Sequence, residues 1–245
     1  MRELTLGSLN LHMGRGAAGH AAPFYDVVTA AKEVDADVLV LQEAWAPDDR
    51  DGQHELIADA LGYRMAGTFS LARASCHDQV RLVCREGPDG EGDWLMAVLS
   101  RLPVREADVA RLHPQLPRDP ARRALVRATV DVDGTPFTVC GTHLPLLKDP
   151  VWRLAPALRA ALPGLDVPAA LAGDMNMWGC CIDRLVPPGW RRTVRGRTYP
   201  APRPHSQTDH VLVTPAVEVV HAEVVPQAMS DHRPVRVHLR LPARS

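Results

Sequence analysis

The chain has 245 residues, of which 46% are hydrophobic and 23% are charged, proportions that are ordinary for a globular protein. Its 28 basic and 29 acidic residues give a net charge of −1, which excludes a protein that holds polyanions by bulk positive charge alone. The length is typical of one layered domain, and we predict a single domain over residues 1–245.

The five cysteines are irregularly spaced, which is not the pattern of a disulfide framework. No run of about 18 apolar residues is present, and the first residues lack the apolar segment of a signal peptide. We therefore expect a soluble, reduced, cytoplasmic protein without a transmembrane segment. The adjacent Cys180 and Cys181 have no histidine at useful spacing, and we interpret them as buried or partly buried, inert cysteines.

Hydrophobic periodicity predicts about nine or ten strands with few helices between them. In chain order the predicted elements are a strand at residues 4–11, a helix at 24–34, a strand at 37–42, a helix at 51–61, strands at 79–85, 94–100, 124–132 and 135–142, a helix at 150–162, and strands at 169–173, 209–214, 217–225 and 234–241. The dipeptide at residues 133–134 is Asp-Gly, a strong hairpin signal. The pattern favours two packed sheets with helices outside, in the α+β class.

Most of the predicted strands end in residues that suit metal or phosphate chemistry. These residues are Asn10, His12, Glu43, His143, Asp174, Asn176, Asp209, His210, Asp231 and His232. Strand ends on one rim of a packed core are where a rigid scaffold can hold a site. Carboxylate and amide oxygens suit Mg²⁺ or Mn²⁺, whereas thiolates, which suit zinc, are absent from this set. The sequence therefore predicts a site for a hard divalent cation.

Glu43 and Asp231 are the best candidates for metal ligands. Asp174 and Asn176 are two positions apart, so in an extended chain both side chains point to the same side. One of them could polarise an attacking water while the other holds a phosphate oxygen. Taken alone, each residue also has a structural interpretation, such as a solvated or turn carboxylate, and the hypothesis depends on the whole set.

Asp209 and His232 are candidates for a carboxylate–imidazole pair, in which the carboxylate sets the tautomer of the ring. His210 directly follows Asp209, so in a regular strand it faces away from the site. We interpret His12 and His210 as structural or peripheral.

The motifs SLNLHMGRG, VLVLQEAW, MAVLSRLPV, CGTHLP, AGDMNMW, RTYPAPRPHSQTDHVLV and MSDHRPV stand in an order that resembles the endonuclease/exonuclease/phosphatase superfamily of magnesium-dependent phosphoesterases. The resemblance covers residues 4–240. It implies a deoxyribonuclease-like, four-layered α/β/β/α sandwich, with two packed mixed sheets, flanking helices and the site between the sheets.

The resemblance also implies roles for individual residues. The implied catalytic residues are His143, Asp174, Asn176, Asp209 and His232, the implied metal ligands are Asn10, Glu43 and Asp231, and the implied substrate contacts are Asn10, His143 and Asn176. His12 stands where some DNA-repair members have an aspartate, which argues for fewer metal contacts. Thr208 replaces a residue that is usually apolar, and the sequence identifies no acidic partner for His143.

The predicted reaction is hydrolysis of a phosphate ester, with in-line attack of water and with Mg²⁺ or Mn²⁺ stabilising the charge. Either Asp174 or the pair of Asp209 and His232 would activate the water. Residues 1–60 carry 11 acidic and 4 basic side chains, which does not favour a long DNA footprint. We expect a small phosphodiester, a phospholipid head group or a sugar phosphate as the phosphorylated partner.

An arginine-rich stretch precedes the TDHVLV motif. Residues 184–208 contain Arg184, Arg191, Arg192, Arg195, Arg197 and Arg203 and no acidic residue. The stretch is either a phosphate-facing rim, with Arg197 as a substrate contact, or a solvated loop. Trp190 and Tyr199 would form a thin stacking platform for single-stranded nucleic acid.

Two other functions stay open at this point. The first is a non-catalytic module that binds a phosphorylated ligand or a protein on the same fold. The second is a biosynthetic enzyme that reuses the metal site for a different reaction, since a fold alone does not determine function.

Overall fold

The structure is a computed structural model that describes residues 2–17, 23–74, 91–119, 121–146 and 150–242. The strands in this part of the chain are β1 (Arg2–Asn10), β2 (Val38–Pro47), β3 (Arg64–Ala74), β4 (Gly92–Ser100), β5 (Val104–Leu112), β6 (Arg123–Val132), β7 (Thr135–His143), β8 (Ala169–Asp174), β9 (Arg191–Arg192), β10 (Asp209–Val213), β11 (Glu218–Val224) and β12 (Val235–Leu241). The α-helices are α1 (Val27–Val34), α2 (Gln53–Leu61), α3 (Ala155–Ala161) and α4 (Gly179–Leu185).

The strands form two sheets of six. The first has the order β11-β12-β1-β2-β4-β3, and the second has the order β5-β6-β7-β8-β10-β9. Each sheet is mixed, because β1 pairs with β2 in parallel and β7 pairs with β8 in parallel, while the neighbouring pairs are antiparallel. A parallel pair needs a crossover connection, and α1 and α3 lie in these two crossovers.

Three hydrophobic clusters separate four layers. One cluster joins the facing sides of the two sheets, with Val40 and Val98 from the first sheet and Val126 and Val211 from the second. Another packs α1 and α2 on the first sheet, and a third packs α3 and α4 on the second. The α+β sandwich that the sequence predicts is therefore confirmed.

The helix predicted at 24–34 begins later in the structure, because Asp26 accepts a 3.0 Å hydrogen bond from the amide of Val28 and caps α1. α2 ends at Leu61, where the predicted helix ends, and Gly62 after it has a left-handed conformation. The helix predicted at 150–162 is divided into a 3₁₀ turn, Val151–Leu154, and α3. None of the described helices is long and apolar enough to cross a membrane.

The hairpin at residues 133–134 joins β6 and β7 as predicted. Three described strands were not predicted. β3 contains two shifts of register that break its alternation, and β5 lies at a sheet edge with mostly exposed residues, so neither has a clear apolar period. β9 has only two residues. The strand predicted at 79–85 lies outside the described residues.

Candidate active site

The candidate site lies where the parallel pairs of both sheets end. In the first sheet, Asn10 ends β1 beside Gln42, and Glu43 follows. In the second sheet, His143 ends β7 directly beside Asp174, which ends β8. Because both strands of a parallel pair have their carboxyl ends at the same edge, each pair places two polar side chains together. The packing of the sheets then brings the two sets face to face.

Asn10 joins the two sheets through its buried amide. Its Nδ2 donates to Oε1 of Glu43 at 3.2 Å and to Oδ2 of Asp174 at 3.1 Å. Its Oδ1 accepts a 2.9 Å hydrogen bond from the backbone amide of His12. Both ends of the side chain are satisfied, so Asn10 holds the carboxylates of opposite sheets at a defined separation.

Asp174 stands at the centre of the site. Its Oδ2 lies 3.6 Å from Nε2 of His143 and 3.7 Å from Nε2 of His232. The preceding residue, Gly173, has φ of +150°, and a side chain there would collide with the backbone of Thr142. Glycine is thus required for the close approach of β8 to β7 just before the aspartate.

Asn176 reaches the site by a turn and not by the extended geometry expected from its spacing. Its φ is +51°, and its amide donates to Oδ1 of Asp174 at 2.8 Å. Its Nδ2 lies 3.0 Å from Nε2 of His143 and 2.9 Å from the carbonyl oxygen of Leu144. The expectation of an extended chain is wrong, because an Asx-type turn follows β8, but the turn still brings the two side chains to one site.

Asp209 and His232 are in direct contact. Asp209 lies opposite Asp174 in the register of β10 and β8, and its Oδ2 is 2.9 Å from Nδ1 of His232. Thr208 donates to the same oxygen at 3.0 Å, which gives a use for the polar residue that departs from the family pattern. His210 points elsewhere, with Nε2 2.9 Å from the carbonyl oxygen of Met177.

Glu43 is held out of the regular ladder. The pairing of β2 with β4 shifts its register between Leu41 and Ala44, and Glu43 there has φ of +53°. Such a conformation is rare for glutamate and is found where the surrounding structure imposes it, often at functional sites. Its Oε1 lies 3.8 Å from Nε2 of His143.

Asp231 and His12 lie close to each other at the candidate site. Oδ1 of Asp231 is 3.6 Å from Nδ1 of His12. His12 is buried and, with Met13, adopts a left-handed backbone conformation. His12 is therefore closer to the site than its interpretation as peripheral implied.

Burial disfavours the charged forms of Asp174 and Glu43, the two carboxylates that Asn10 bridges between the sheets. Burial raises the pKa of Asp174 to about 7, against the opposing charge of His232. Burial and the neighbouring Asp231 carboxylate raise the pKa of Glu43, against the hydrogen bond from Asn10.

The two histidines have opposite shifts. Burial and the charge of Arg123 hold the pKa of His143 well below its usual value. Burial also disfavours the charged form of His232, but the carboxylates of Asp209 and Asp174 outweigh it and raise the pKa of His232 well above its usual value. The charge of His232 and three side-chain hydrogen bonds in turn lower the pKa of Asp209, despite its burial.

The donor set fits a divalent cation. The ligand atoms of Glu43, His143 and Asp174 all lie within 4.8 Å of one another, and so do those of Asp174, Asp209 and His232. Buried carboxylates with raised pKa values are groups whose charged form a cation would stabilise, and oxygen ligands suit Mg²⁺ or Mn²⁺. Asp231 is in neither group, so its role as a ligand stays a prediction.

The arginine-rich stretch is only partly available for ligands. Arg191 donates to the carbonyl oxygen of Val217, and Arg192 pairs with Asp183. The side chains that remain exposed in this stretch include Arg195, Arg197 and Arg203. Trp190 is buried in the cluster between the second sheet and its helices, so it forms no stacking platform. Cys181 is half-buried as predicted, but the prediction of burial is wrong for Cys180, which is exposed because α4 turns Gly179, Ile182 and Leu185 to the protein interior.

Sequence reasoning missed the groups that support the two histidines. Trp94 packs edge-on against His143 with ring centroids 5.5 Å apart, and Arg123 donates to the carbonyl oxygen of His143 at 3.0 Å. Tyr199 packs on His232 with ring centroids 4.7 Å apart. Each partner lies 20 or more positions away in the chain. The sequence singled out Tyr199 only as a stacking residue for nucleic acid and did not indicate its contact with His232.

Comparison with known proteins identifies relatives of this fold. A model of the endonuclease/exonuclease/phosphatase family matches residues 7–232. No curated protein matches the sequence. Among solved structures, an endonuclease/exonuclease/phosphatase from Beutenbergia cavernae is 24% identical, with a TM-score of 0.70 over 99% of this chain and 72% of that one.

Two further structures carry more specific names. The mannosyl-6-phosphatase Bt3783 of Bacteroides thetaiotaomicron is 19% identical, with a TM-score of 0.68 over 97% of this chain and 100% of that one. D. rerio TDP2, solved with a single-strand DNA product, is 15% identical, with a TM-score of 0.67 over 97% and 99%. At these identities the similarity concerns the fold. Because the family model spans most of the sequence and the structure has the matching sandwich, the chain belongs to the endonuclease/exonuclease/phosphatase family.

Proposed function

We propose that this protein is a divalent-metal-dependent hydrolase of phosphate esters, in which water attacks phosphorus in line with the leaving oxygen. The observation that carries the proposal is the position of Asp174, whose Oδ2 lies 3.1 Å from the amide of Asn10 and within 3.7 Å of both imidazole Nε2 atoms. One acidic oxygen at the meeting point of an amide and two imidazoles is suited to proton transfer beside a group that accumulates negative charge.

Glu43 and Asn10 would hold the cation, with help from Asp231. When bound, Mg²⁺ or Mn²⁺ neutralises charge on the phosphate and stabilises the leaving oxygen. The left-handed conformation of Glu43 and the hydrogen bond from Asn10 keep the carboxylate aimed into the cleft. This arrangement positions a ligand before any ion arrives, which lowers the cost of binding.

Asp174 is our choice for the group that takes the proton from the attacking water. Its Oδ1 accepts from the amide of Asn176, and its Oδ2 accepts one hydrogen bond from Asn10, which leaves a second acceptor position on Oδ2 for the water. His232, held between the carboxylates of Asp209 and Asp174, would donate from Nε2 to a phosphoryl oxygen. Asn176 and His143, 3.0 Å apart, would contact the other non-bridging oxygens as their charge increases.

The charge distribution supports a small substrate. Arg197 and Arg203 are exposed in the stretch that leads to Asp209, and Arg197 is our candidate for a further substrate contact. On the first sheet, the chain after Glu43 enters a cluster in which Arg73 is paired with several carboxylates, namely Asp48, Glu91 and Asp93. A long polyanion that crossed both rims would meet this acidic cluster. Small phosphodiesters, phospholipid head groups and sugar phosphates avoid it.

The test is a substrate panel with and without metal. It should contain bis(p-nitrophenyl) phosphate, p-nitrophenyl phosphate, mannose 6-phosphate, glycerophosphocholine and single-stranded DNA, each with Mg²⁺, Mn²⁺ or EDTA. We expect hydrolysis of at least one small ester that EDTA abolishes. Asp174→Ala should lose at least about a hundredfold in kcat, as removal of an acid–base group does.

Asp183→Ala is the matched control, because Asp183 is a half-exposed carboxylate whose partner is Arg192. It should keep wild-type activity. Hydrolysis that is indifferent to EDTA and to Asp174→Ala would reject the proposal. Calorimetric binding of phosphate esters without turnover would instead identify a binding module.

A further inference from the structure

A short hairpin lies against the segment that carries Asp231 and His232. Its two sides meet at Tyr199 and Ser206, with the amide of Ser206 3.0 Å from the carbonyl oxygen of Tyr199. We call residues 198–206 the Tyr199 hairpin. Three prolines stiffen it, since each fixes the backbone φ angle.

Three hydrogen bonds join the hairpin to the catalytic segment. The amide of Ala201 donates to the carbonyl oxygen of Asp231 at 2.7 Å, and the amide of Arg233 donates to the carbonyl oxygen of Thr198 at 2.8 Å. The side chain of Arg233 donates from Nε to the carbonyl oxygen of Ala201 at 2.8 Å. The hairpin is thus attached on both sides of His232.

The ring of Tyr199 packs on the imidazole of His232, with centroids 4.7 Å apart and planes inclined by 43°. The strongest hydrogen bond of the imidazole is the 2.9 Å contact of Nδ1 with Asp209. One hydrogen bond at one ring nitrogen sets a distance but allows the ring to tilt about it. The Tyr199 ring, inclined to the imidazole and in contact with it, restricts this tilt and keeps Nε2 directed at Asp174, 3.7 Å away.

The exposure and the ring contacts of Tyr199 indicate that its side chain packs on His232 and is not part of the hydrophobic core. Its side chain is among the exposed large hydrophobic ones, at 37% relative exposure. Within the described part of the chain its hydroxyl makes no recorded hydrogen bond, and its other aromatic neighbour is the exposed His205, edge-on at 6.4 Å. The aromatic ring, and not the hydroxyl, is therefore the part that contacts His232.

We propose that Tyr199 is a positioning residue that holds the His232 imidazole with Nε2 facing Asp174. The inference deepens the proposed function and rests on it for its kinetic readout. It assigns to the Tyr199 hairpin the task of orienting the histidine, while Asp209 provides the charge. Tyr199 acts through His232, and its substitution should change kcat and leave substrate affinity in place.

The experiment compares Tyr199→Phe, which keeps the ring, with Tyr199→Leu, which removes it. Kinetics use the best ester from the substrate panel with its metal. Tyr199→Leu should lower kcat about 10- to 100-fold with KM within about twofold, since small misplacements of catalytic groups cost up to about 100-fold. Tyr199→Phe should stay within about twofold of wild type. His205→Leu, on the same hairpin but not in contact with His232, is the matched control and should also stay within about twofold.

A second measurement does not need activity. Side-chain ¹H–¹⁵N NMR of the metal-free protein, with His232 assigned through His232→Gln, reports the environment of the imidazole. The ring ¹⁵N shifts are compared, because they follow the hydrogen bonding of Nδ1 and Nε2, whereas loss of the tyrosine ring current by itself moves mainly the proton signals. Tyr199→Leu should move the His232 ring ¹⁵N signals, and Tyr199→Phe and His205→Leu should leave them in place. Tyr199→Met repeats both measurements with another non-aromatic side chain if the leucine variant folds poorly, as judged by its melting curve.

Several results would overturn the inference. One is a rise in KM with kcat unchanged, which would make Tyr199 a substrate contact. Another is a phenylalanine variant as impaired as the leucine variant, which would assign the effect to the hydroxyl. If the wild type hydrolyses no ester, the proposed function fails separately. The NMR comparison still tests the positioning of His232, because unmoved ring ¹⁵N signals in Tyr199→Leu would show that Tyr199 does not position it.

Discussion

The two histidines of the candidate site, His143 and His232, share Asp174 as a neighbour and differ in their second charged neighbour. Both direct Nε2 at Oδ2 of Asp174, from 3.6 and 3.7 Å. The second charged neighbour of His143 is the guanidinium of Arg123, which donates to the carbonyl oxygen of His143. The second charged neighbour of His232 is the carboxylate of Asp209, which contacts Nδ1. Two rings with equal burial and a common carboxylate thus have pKa values shifted in opposite directions.

Burial is the largest influence on the pKa of each ring and lowers it in both, but only at His232 do nearby carboxylates outweigh it and reverse the direction of the shift. The surroundings of His143 favour its neutral form, and those of His232 favour its cation. Titratable groups whose surroundings push their pKa values apart usually have different chemical tasks. The neutral ring is suited to orientation and hydrogen bonding, and the charged ring is suited to stabilising negative charge on a phosphoryl group.

The largest effect on kcat should come from substitution of His232 or of its partner Asp209. His232→Gln should lower kcat about 10³-fold, within the range for loss of an acid–base or electrostatic group. Asp209→Asn should lose nearly as much, because the ring would lose both its charge and its fixed tautomer. The double variant should be scarcely worse than either single one, since the two residues act as a unit. Steady-state kinetics of the three variants measure this, and fully additive losses would contradict it.

The ion pair of Arg123, which contacts His143, should contribute to the free energy of unfolding. Arg123 and Asp119 form an ion pair in which both side chains are at least nine-tenths buried. Arg123→Met leaves Asp119 without its partner and should cost about 3–5 kcal/mol in the free energy of unfolding, measured by urea denaturation. Arg127→Met, which breaks the more exposed pair with Asp108, should cost about 1 kcal/mol or less. Equal losses would show that burial of the pair is unimportant.

Removal of the neutral ring should affect catalysis less than removal of the charged one. His143→Gln takes away one hydrogen-bonding group and should lower kcat about 10²-fold, as loss of one charge-stabilising donor does. The exposed His221, changed to Gln, is the control and should have no effect on kcat. A loss for His143→Gln larger than for His232→Gln would reverse our assignment of the two rings.

The smallest effect is a pH dependence of the metal-free protein. The pKa of Asp174 is about 7 in the folded state and about 4 in the unfolded state. Between these values the folded protein binds more protons than the unfolded one, so stability falls as pH rises. With EDTA present, the melting temperature of the wild type should fall from about pH 4.5 to 6.5 by about 5–10 °C relative to Asp174→Asn, because one proton over two pH units is about 2.5 kcal/mol at about 2–4 °C per kcal/mol.

This window lies below the range where His232 contributes. The raised pKa of His232 gives stability that is complete below its unfolded value of about 6.5 and is lost as pH rises through the folded value. Added Mg²⁺ or Mn²⁺ at pH 8 should raise the melting temperature of the wild type more than that of Asp174→Asn. Parallel pH curves for the two proteins would show that Asp174 ionises without a penalty.

Much of the fold could be predicted because its signals are local. The hairpin at residues 133–134 depends on turn chemistry within two residues, and it is confirmed. β3 and β5 were missed because bulges and an exposed edge remove the alternation that identifies a strand. The turn after Asp174 was also missed, since spacing alone does not distinguish an extended dipeptide from an Asx turn.

Acidic, amide and imidazole side chains at the ends of apolar strands can be recognised from the chain alone, because periodicity and strand termini are properties of neighbouring residues. The bridge from Asn10 to Glu43 and Asp174 depends on tertiary packing, and so do the contacts of one histidine with an arginine and of the other with an aspartate. These contacts join residues up to 164 positions apart. Their distances depend on how two sheets pack against each other, and no local pattern carries that information.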